Sequence, residues 1–178
     1  IIATPAPFHL RQAIFYAQNN IPLLIEKPLG VDNQIFTECQ DLKFLANNIP
    51  ILIGYVLRHD PAHNQIKKYL REESIGTIVD ASFSCGSWLP NWRENQDYKN
   101  SVSARSDLGG GVLLEMSHEL DLANSFLGEI DIKYSIISNS NLLDIDPNVE
   151  DKVQISGVSK DKVFVNINLD FCTNPSYR

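Results

Sequence analysis

The chain has 178 residues, 43% of them hydrophobic and 21% charged, with a formal net charge of −7. That is enough for one sizeable domain or two small ones, and an acidic balance with no basic block argues against nucleic acid or an anionic membrane as the main partner. Three scattered cysteines (Cys39, Cys85, Cys172) without a Cys-x-x-Cys pair indicate neither a disulfide framework nor a zinc knuckle; with no membrane-length apolar run and no visible signal peptide, they fit a reducing, cytoplasmic setting.

Ile1 to Thr4 is a strand-like run already under way at the first residue, and Pro5-Ala6-Pro7 ends it. Pro7 suits a first helical turn. Leu10, Ala13, Ile14 and Ala17 carry helical spacing to a stop at Asn19-Asn20. Pro22 to Ile25 is a continuous apolar run, as expected of a parallel strand covered on both faces, and it ends at Glu26-Lys27-Pro28. Asp32 is placed to cap a second helix with Ile35, Cys39, Leu42 and Leu45 on one side, and Ile51 to Leu57 reads as a third strand. Strand, helix, strand, helix, strand is half of a doubly wound parallel sheet, in which ligands sit outside the carboxyl ends of the strands. Thr4, Lys27 and Arg58 fall at those ends; an exposed loop lysine is the plain alternative for Lys27.

Asp60-Pro61 starts a helix with an apolar side of Ile66, Tyr69 and Leu70, and His59 and His63 read as helix-start residues on a wet face. Thr77 to Ser84 alternates as a half-buried strand. Ser87 to Leu108 is long and irregular; its Trp88, Trp92, Tyr98, Arg93 and Arg105 could form a lid over a polar ligand or pin the loop to the core.

Gly109-Gly110-Gly111 then feeds a predicted single helix. Leu113, Met116, Leu120, Ala123 and Leu127 lie on one stripe, and at about 100° per residue His118 lies opposite, with Glu115 and Asp121 beside it. The alternatives are a helix lining a cleft and a solvated helix face. Ile130 to Ser138, Val149 to Val158 and Val163 to Phe171 read as three more strands, with Lys160-Asp161 at a hairpin tip. The fold class read from this order is α/β, the second half of a doubly wound Rossmann-type sheet (residues 1–58), followed by an α+β domain with a mostly antiparallel sheet (residues 59–178). Both ends of the chain sit close to strands, which predicts an internal piece of a longer protein.

Ala3-Thr4-Pro5 with His9, then Glu26-Lys27-Pro28, Gly54-Tyr55 with Leu57-Arg58, and the Gly109 to Asp121 stretch come in an order that resembles the Gfo/Idh/MocA family of nicotinamide-dependent oxidoreductases. The resemblance covers essentially the whole chain. It implies a hydride transfer between NAD or NADP and a hydroxyl or keto group of a sugar or sugar derivative. Trp88-Leu89-Pro90, Trp92-Arg93, Asp97-Tyr98 and Ser103-Ala104-Arg105 resemble the branch tied to surface-polysaccharide sugar pathways. By the same resemblance, Lys27 and His118 are the catalytic pair. Thr4, Pro5, His9 and Glu26 border the nicotinamide together with Lys27, and Arg58, Tyr98, Glu115 and Asp121 face the sugar. A homo-oligomer formed through the second domain's sheet is also implied. Two departures stand out: the acid near His118 is Glu115, three residues before it rather than an Asp four before, and no Gly-x-Gly-x-x-Gly loop is present. A non-catalytic sugar-binding or regulatory module on the same scaffold is the competing reading. A metal hydrolase using His118 and Glu119 lacks the second histidine of His-Glu-x-x-His.

Overall fold

The computed structural model describes residues 1–31 and 35–178, and the side chains of residues 35–37 are likewise outside the description. The proposed Asp32 cap and the Ile35 position therefore lie outside the described residues. Two hydrophobic cores are present, one built from residues 2–53 and one from residues 83–172.

The first core is a small α/β unit. Strand β1 (Leu23–Ile25) pairs in parallel with β2 (Ile51–Ile53), in the register Leu24 to Leu52. Ile2 joins β1 on its other side through a single parallel bridge, so Ile1 to Thr4 contributes one paired residue rather than a full strand. A 3-10 turn at Ala6–Phe8 with Pro7 inside it leads into α1 (His9–Gln18), which buries Leu10, Ala13 and Ala17 and stops at Asn19 and Asn20 as its periodicity requires. Helix α2 (Ile35–Leu45) packs on α1 and buries Leu42. The apolar run 22–25 was expected to be covered on both faces. Instead Leu23 and Ile25 are buried while Leu24 is 43% exposed and Leu52 of β2 is 59% exposed. Leu24 and Leu52 lie side by side on one face of this sheet, exposed among the described residues. The third strand also ends early, at Ile53, because the backbone turns into a 3-10 turn over Val56–His59.

Asp60 caps α3 (Pro61–Arg71), accepting a 2.7 Å bond from the Ala62 amide, with Pro61 at the first helical position. The buried face of α3 is not the expected one. Ile66 and Tyr69 are exposed, whereas His63 is buried, stacked on Phe126 at 4.7 Å and 3.0 Å from the Ser125 hydroxyl through Nε2.

Strand β3 spans Asp80–Gly86, three residues later than its sequence pattern suggested at the start. Strands β4 (Ile130–Ser138), β5 (Lys152–Ser159) and β6 (Phe164–Asp170) follow the expected order, with the β5–β6 hairpin turning at Lys160-Asp161. The sheet order is β3-β6-β5-β4; only the β3–β6 pair is parallel. Alternate residues of β5 and β6 (Val153, Ile155, Val165, Ile167, Leu169) point into the second core. The stretch 87–108 folds into four 3-10 turns rather than a lid. Trp88, Trp92 and Tyr98 pack on the core, and the Trp92 ring meets Phe171 edge-on at 5.1 Å. Arg93 stays exposed and Arg105 pairs locally with Asp107.

The glycine turn does not lead into one helix. Helix α4 is Val112–Glu115 and α5 is His118–Leu127, with Met116 between them at φ −100°, ψ 26°. The stripe survives the break: Met116 and Ala123 are buried, and Leu113, Leu120 and Leu127 pack on the second core. Gly110 is required sterically, since a Cβ there would sit 2.5–2.7 Å from the carbonyl oxygens of Val102, Arg105 and Ser103. Gly111 is required conformationally as well, with φ +116° and Glu150 carboxylate oxygens 2.4–2.5 Å from where a Cβ would stand.

Candidate functional site

The break between α4 and α5 creates the site. In a continuous helix the Glu119 amide would bond the Glu115 carbonyl; here it bonds Met116 O at 3.3 Å. The freed Glu115 carbonyl instead accepts a 2.8 Å bond from Lys27 Nζ, which reaches across from the loop after β1. The same ammonium lies 4.0 Å from Glu115 Oε1, and both side chains are 18% exposed. Ser103 Oγ donates to Glu115 Oε2 at 2.8 Å, tying the irregular stretch to the same acid.

Two more acid–base pairs surround the start of α5. Arg58 grips Asp121 bidentately, through Nε at 2.8 Å and Nη2 at 2.7 Å, with Asp121 only 7% exposed. Arg178 Nε donates to Glu119 Oε1 at 2.6 Å, and Glu119 is 2% exposed. Three acids on one short segment thus meet three bases brought from residues 27, 58 and 178. His118 sits among them. Its Nδ1 is buried with no hydrogen-bond partner among the described residues. The ring lies edge-on to Tyr55 at 5.7 Å. Burial, then the nearby positive charges of Lys27 and Arg178, hold His118 below the ordinary histidine value. Burial likewise pushes the Tyr55 hydroxyl up.

The other expected site residues divide. Thr4, Pro5 and Glu26 are exposed at the carboxyl end of the parallel strands, beside Lys27. His9 is 1% exposed, and its two ring nitrogens lie 2.6 Å from Thr4 O and 2.8 Å from Pro28 O. It ties the start of α1 to the segments around Thr4 and Lys27 and has no nitrogen left for a ligand. Tyr98 is packed against the second core, and its hydroxyl accepts from the Asp144 amide at 3.1 Å, which turns it toward the 139–148 loop. It shares a crevice with Ser103, one step behind Glu115. Sequence reasoning did not single out Arg178; it quoted Tyr55 and Ser103 only within motifs of the resemblance and Glu119 only for the metal-hydrolase reading. For Arg178 no local signal existed, because tertiary contacts such as the pairing of Gly86 with Tyr177 carry residues 176–178 alongside β3 and toward α5.

No cluster of three or more His, Cys, Asp or Glu positioned for a metal occurs among the described residues, and none of the described helices is long and apolar enough to cross a membrane.

The family model for the GFO/IDH/MocA C-terminal domain matches residues 63–178, well over half of the chain. The chain belongs to the Gfo/Idh/MocA family. Among curated relatives, it is 30% identical over 141 residues to levoglucosan dehydrogenase of Pseudarthrobacter phenanthrenivorans, covering 77% of this chain and 35% of that protein. It is 25% identical to inositol 2-dehydrogenase of Corynebacterium glutamicum, covering 96% of this chain and 48% of that one. The chain therefore spans between about a third and a half of the length of these two relatives. Levoglucosan dehydrogenase solved with NADH and levoglucosan superposes at a TM-score of 0.83 with 20% identity, over 98% of this chain and 48% of that one. The WlbA dehydrogenase from Bordetella pertussis, solved with NADH and UDP-GlcNAcA, superposes at 0.79 with 19% identity, over 98% and 49%. These likenesses establish the fold: a Rossmann-type part followed by the α+β part of this oxidoreductase family.

Proposed function

We propose that this chain carries the proton-transfer and substrate-holding groups of a nicotinamide-dependent oxidoreductase acting on a sugar or polyol hydroxyl. The observation that supports it best is the meeting of Lys27 with the α4–α5 break beside His118. A binding module needs no histidine with one bare nitrogen and a lysine poised beside it; alcohol oxidation needs both. The likeness to dehydrogenases solved with NADH supports the cofactor assignment, NAD or NADP. The donor set fits the nicotinamide end of such a cofactor: Thr4, Pro5 and Glu26 are exposed where the parallel strands end. His9 does not fit, since both nitrogens are engaged. When bound, the nicotinamide supplies the hydride chemistry.

The protein's own groups do the rest. His118 Nε2 takes the proton of the reacting hydroxyl, or returns it in the reverse direction, and its lowered proton affinity keeps it a free base at neutral pH. Lys27 hydrogen-bonds the same oxygen and stabilises the negative charge that develops there, held at its post by the Glu115 carbonyl. Arg58 is fixed by Asp121 at the exposed side of the cleft, where it borders the substrate. The same reading divides the chain at about residue 58 into a dinucleotide-binding part and a substrate part, and the presence of two separate cores supports it. A role in surface-polysaccharide sugar synthesis, inside the cytoplasm, belongs to the same reading and draws on the likeness to the WlbA dehydrogenase. So does self-association through the outer face of the four-stranded sheet, where Tyr134, Ile136 and Phe164 are exposed.

In the full-length protein, His118→Ala and Lys27→Met are each expected to cut turnover about a hundredfold or more. Near-normal sugar-dependent reduction of the nicotinamide, followed by absorbance, in either variant would remove that residue from the mechanism.

A further inference from the structure

An ammonium that stabilises charge on a reacting oxygen has a competitor when a carboxylate stands beside it. The Lys27 ammonium carries three N–H donors and no acceptor. One donates to the Glu115 carbonyl at 2.8 Å. The Glu115 carboxylate is a stronger acceptor than that carbonyl, and a charge-assisted N–H···O bond closes to about 2.7–2.9 Å. Here Oε1 stands off at 4.0 Å, although both side chains are only 18% exposed. The other carboxylate oxygen shows what holds the acid back: Oε2 accepts the Ser103 hydroxyl at 2.8 Å.

Ser103 is placed to resist the pull of Lys27. It is 1% exposed and lies in the 3-10 turn Val102–Ala104. Its carbonyl accepts the Gly111 amide at 3.1 Å, and the Gly111 carbonyl accepts the Glu115 amide at 3.0 Å. The carbonyl of the next residue, Ala104, accepts the Asp146 amide at 3.0 Å, which secures the turn on its other side. The turn bearing Ser103 and the helix bearing Glu115 are therefore tied through their backbones. The close approach of Gly110 to the Ser103 carbonyl, which leaves no room for a Cβ, belongs to the same junction. Among the described residues, Lys27 Nζ has no other hydrogen-bond partner than the Glu115 carbonyl. At 4.0 Å the carboxylate still offsets the cost of partly burying the ammonium without taking a hydrogen from it.

We propose that Ser103 is a positioning residue: by anchoring Oε2 of Glu115 it keeps that acid from closing on Lys27, and so keeps an ammonium hydrogen available to the reacting oxygen. This rests on the reading of Lys27 and His118 as the reacting pair of an oxidoreductase. Ser103 acts only through Glu115 and touches no reacting atom.

The test uses the full-length protein and has a readout that needs no substrate. Acetylation of Lys27 by limiting acetic anhydride is followed on its peptide by mass spectrometry, since an amine closed into an ion pair reacts more slowly. S103A is expected to slow this labelling by about threefold or more. In the E115Q background S103A should make no further difference, because no carboxylate is left to close. S103C, which fills the same space with a weak donor, is measured beside S103A and expected to match it, with circular dichroism to check folding. In a crystal structure of S103A, Glu115 Oε1 is expected within about 2.9 Å of Lys27 Nζ. In turnover, S103A should lower kcat about tenfold with little change in KM, and again only where Glu115 is present. Equal labelling of the folded wild type and variants, a separation that stays at 4.0 Å in S103A, or an effect of S103A that persists undiminished in the E115Q background would overturn the proposal. Slowed labelling in a protein that reduces no nicotinamide with any sugar overturns the oxidoreductase reading instead. Sugar-dependent turnover with an unchanged kcat in S103A overturns the role of Ser103 alone.

Discussion

His118 is the residue whose surroundings say most about its chemistry. Burial and the charges of Lys27 and Arg178 favour its neutral form, against the weaker opposing pull of Glu119 and Asp121. Its folded pKa therefore lies below the ordinary 6.5 it takes in an unfolded chain. The consequence has a definite sign. As pH falls, the unfolded chain takes up a proton at this position first, so the fold loses stability as pH drops from about 6.5 through the folded value. The acid limb of the rate profile likewise falls below 6.5. Following the His118 ring proton by NMR across this range should give a midpoint under 6.5, and Lys27→Met should move it upward by removing a positive neighbour. A midpoint that does not move in the variant would mean that the lysine's charge does not act on the ring. The sequence marked both members as candidates, Lys27 from its place after an apolar strand and His118 from its place opposite the core stripe, and the resemblance proposed them as a pair. That Lys27 reaches the Glu115 carbonyl just before His118 was not legible, because 88 positions separate the two partners.

At the scale of elements, the site depends on irregularity more than on regular structure. The three-residue step from Glu115 to His118 is one turn in an uninterrupted helix, where the Glu115 carbonyl would be consumed by the helix ladder. Ending α4 at Glu115 and restarting at His118 releases that carbonyl for Lys27. The tight turn before α4 sets this geometry. Glu150 accepts from the Leu113 amide at 2.9 Å and fills the space beside Gly111, and burial pushes its carboxyl pKa up. Gly111→Ala would force a side chain into a left-handed backbone and against that carboxylate. The expected cost is about 2 kcal/mol or more, read from urea denaturation monitored by circular dichroism, and a loss under about 0.5 kcal/mol would contradict the crowding described here. The glycines at 110 and 111 thus serve packing and chain direction. Composition could mark the turn but not this use of it, since the groups that crowd Gly110 and Gly111 come from residues 102–105 and from Glu150.

At the scale of the whole molecule, two sheets each leave apolar side chains outside. Leu24 and Leu52 sit side by side in register on one face of the parallel pair. On the four-stranded sheet, Tyr134 and Ile136 of the edge strand β4 and Phe164 of β6 are exposed. Such surfaces are unusual for a lone unit when they are contiguous. Self-association through the four-stranded sheet predicts a dimer or larger assembly of the full-length protein by light scattering, and Tyr134→Glu combined with Phe164→Glu should return it to a monomer. A wild-type monomer at micromolar concentration would remove the oligomer from the proposal.

What the sequence alone determined was local and periodic. The order of strands and helices, the Asp60 cap, the core stripe from Leu113 to Leu127 and the alternation of β5 and β6 all follow from the spacing of apolar residues and from turn chemistry, which act over a few residues. The resemblance to the family was legible for a similar reason, since it rests on short runs such as Glu26-Lys27-Pro28 in a particular order along the chain. The tertiary structure decided the rest. It turned His63 inward and Ile66 outward, closed His9 onto two carbonyls, pinned the 87–108 stretch with Trp88 and Trp92, and brought Lys27, Arg58 and Arg178 to three acids on one segment. Each of these outcomes depends on which distant group is available to satisfy a buried polar atom or to fill a space. Spacing along the chain carries no information about that; only the folded chain supplies the partner.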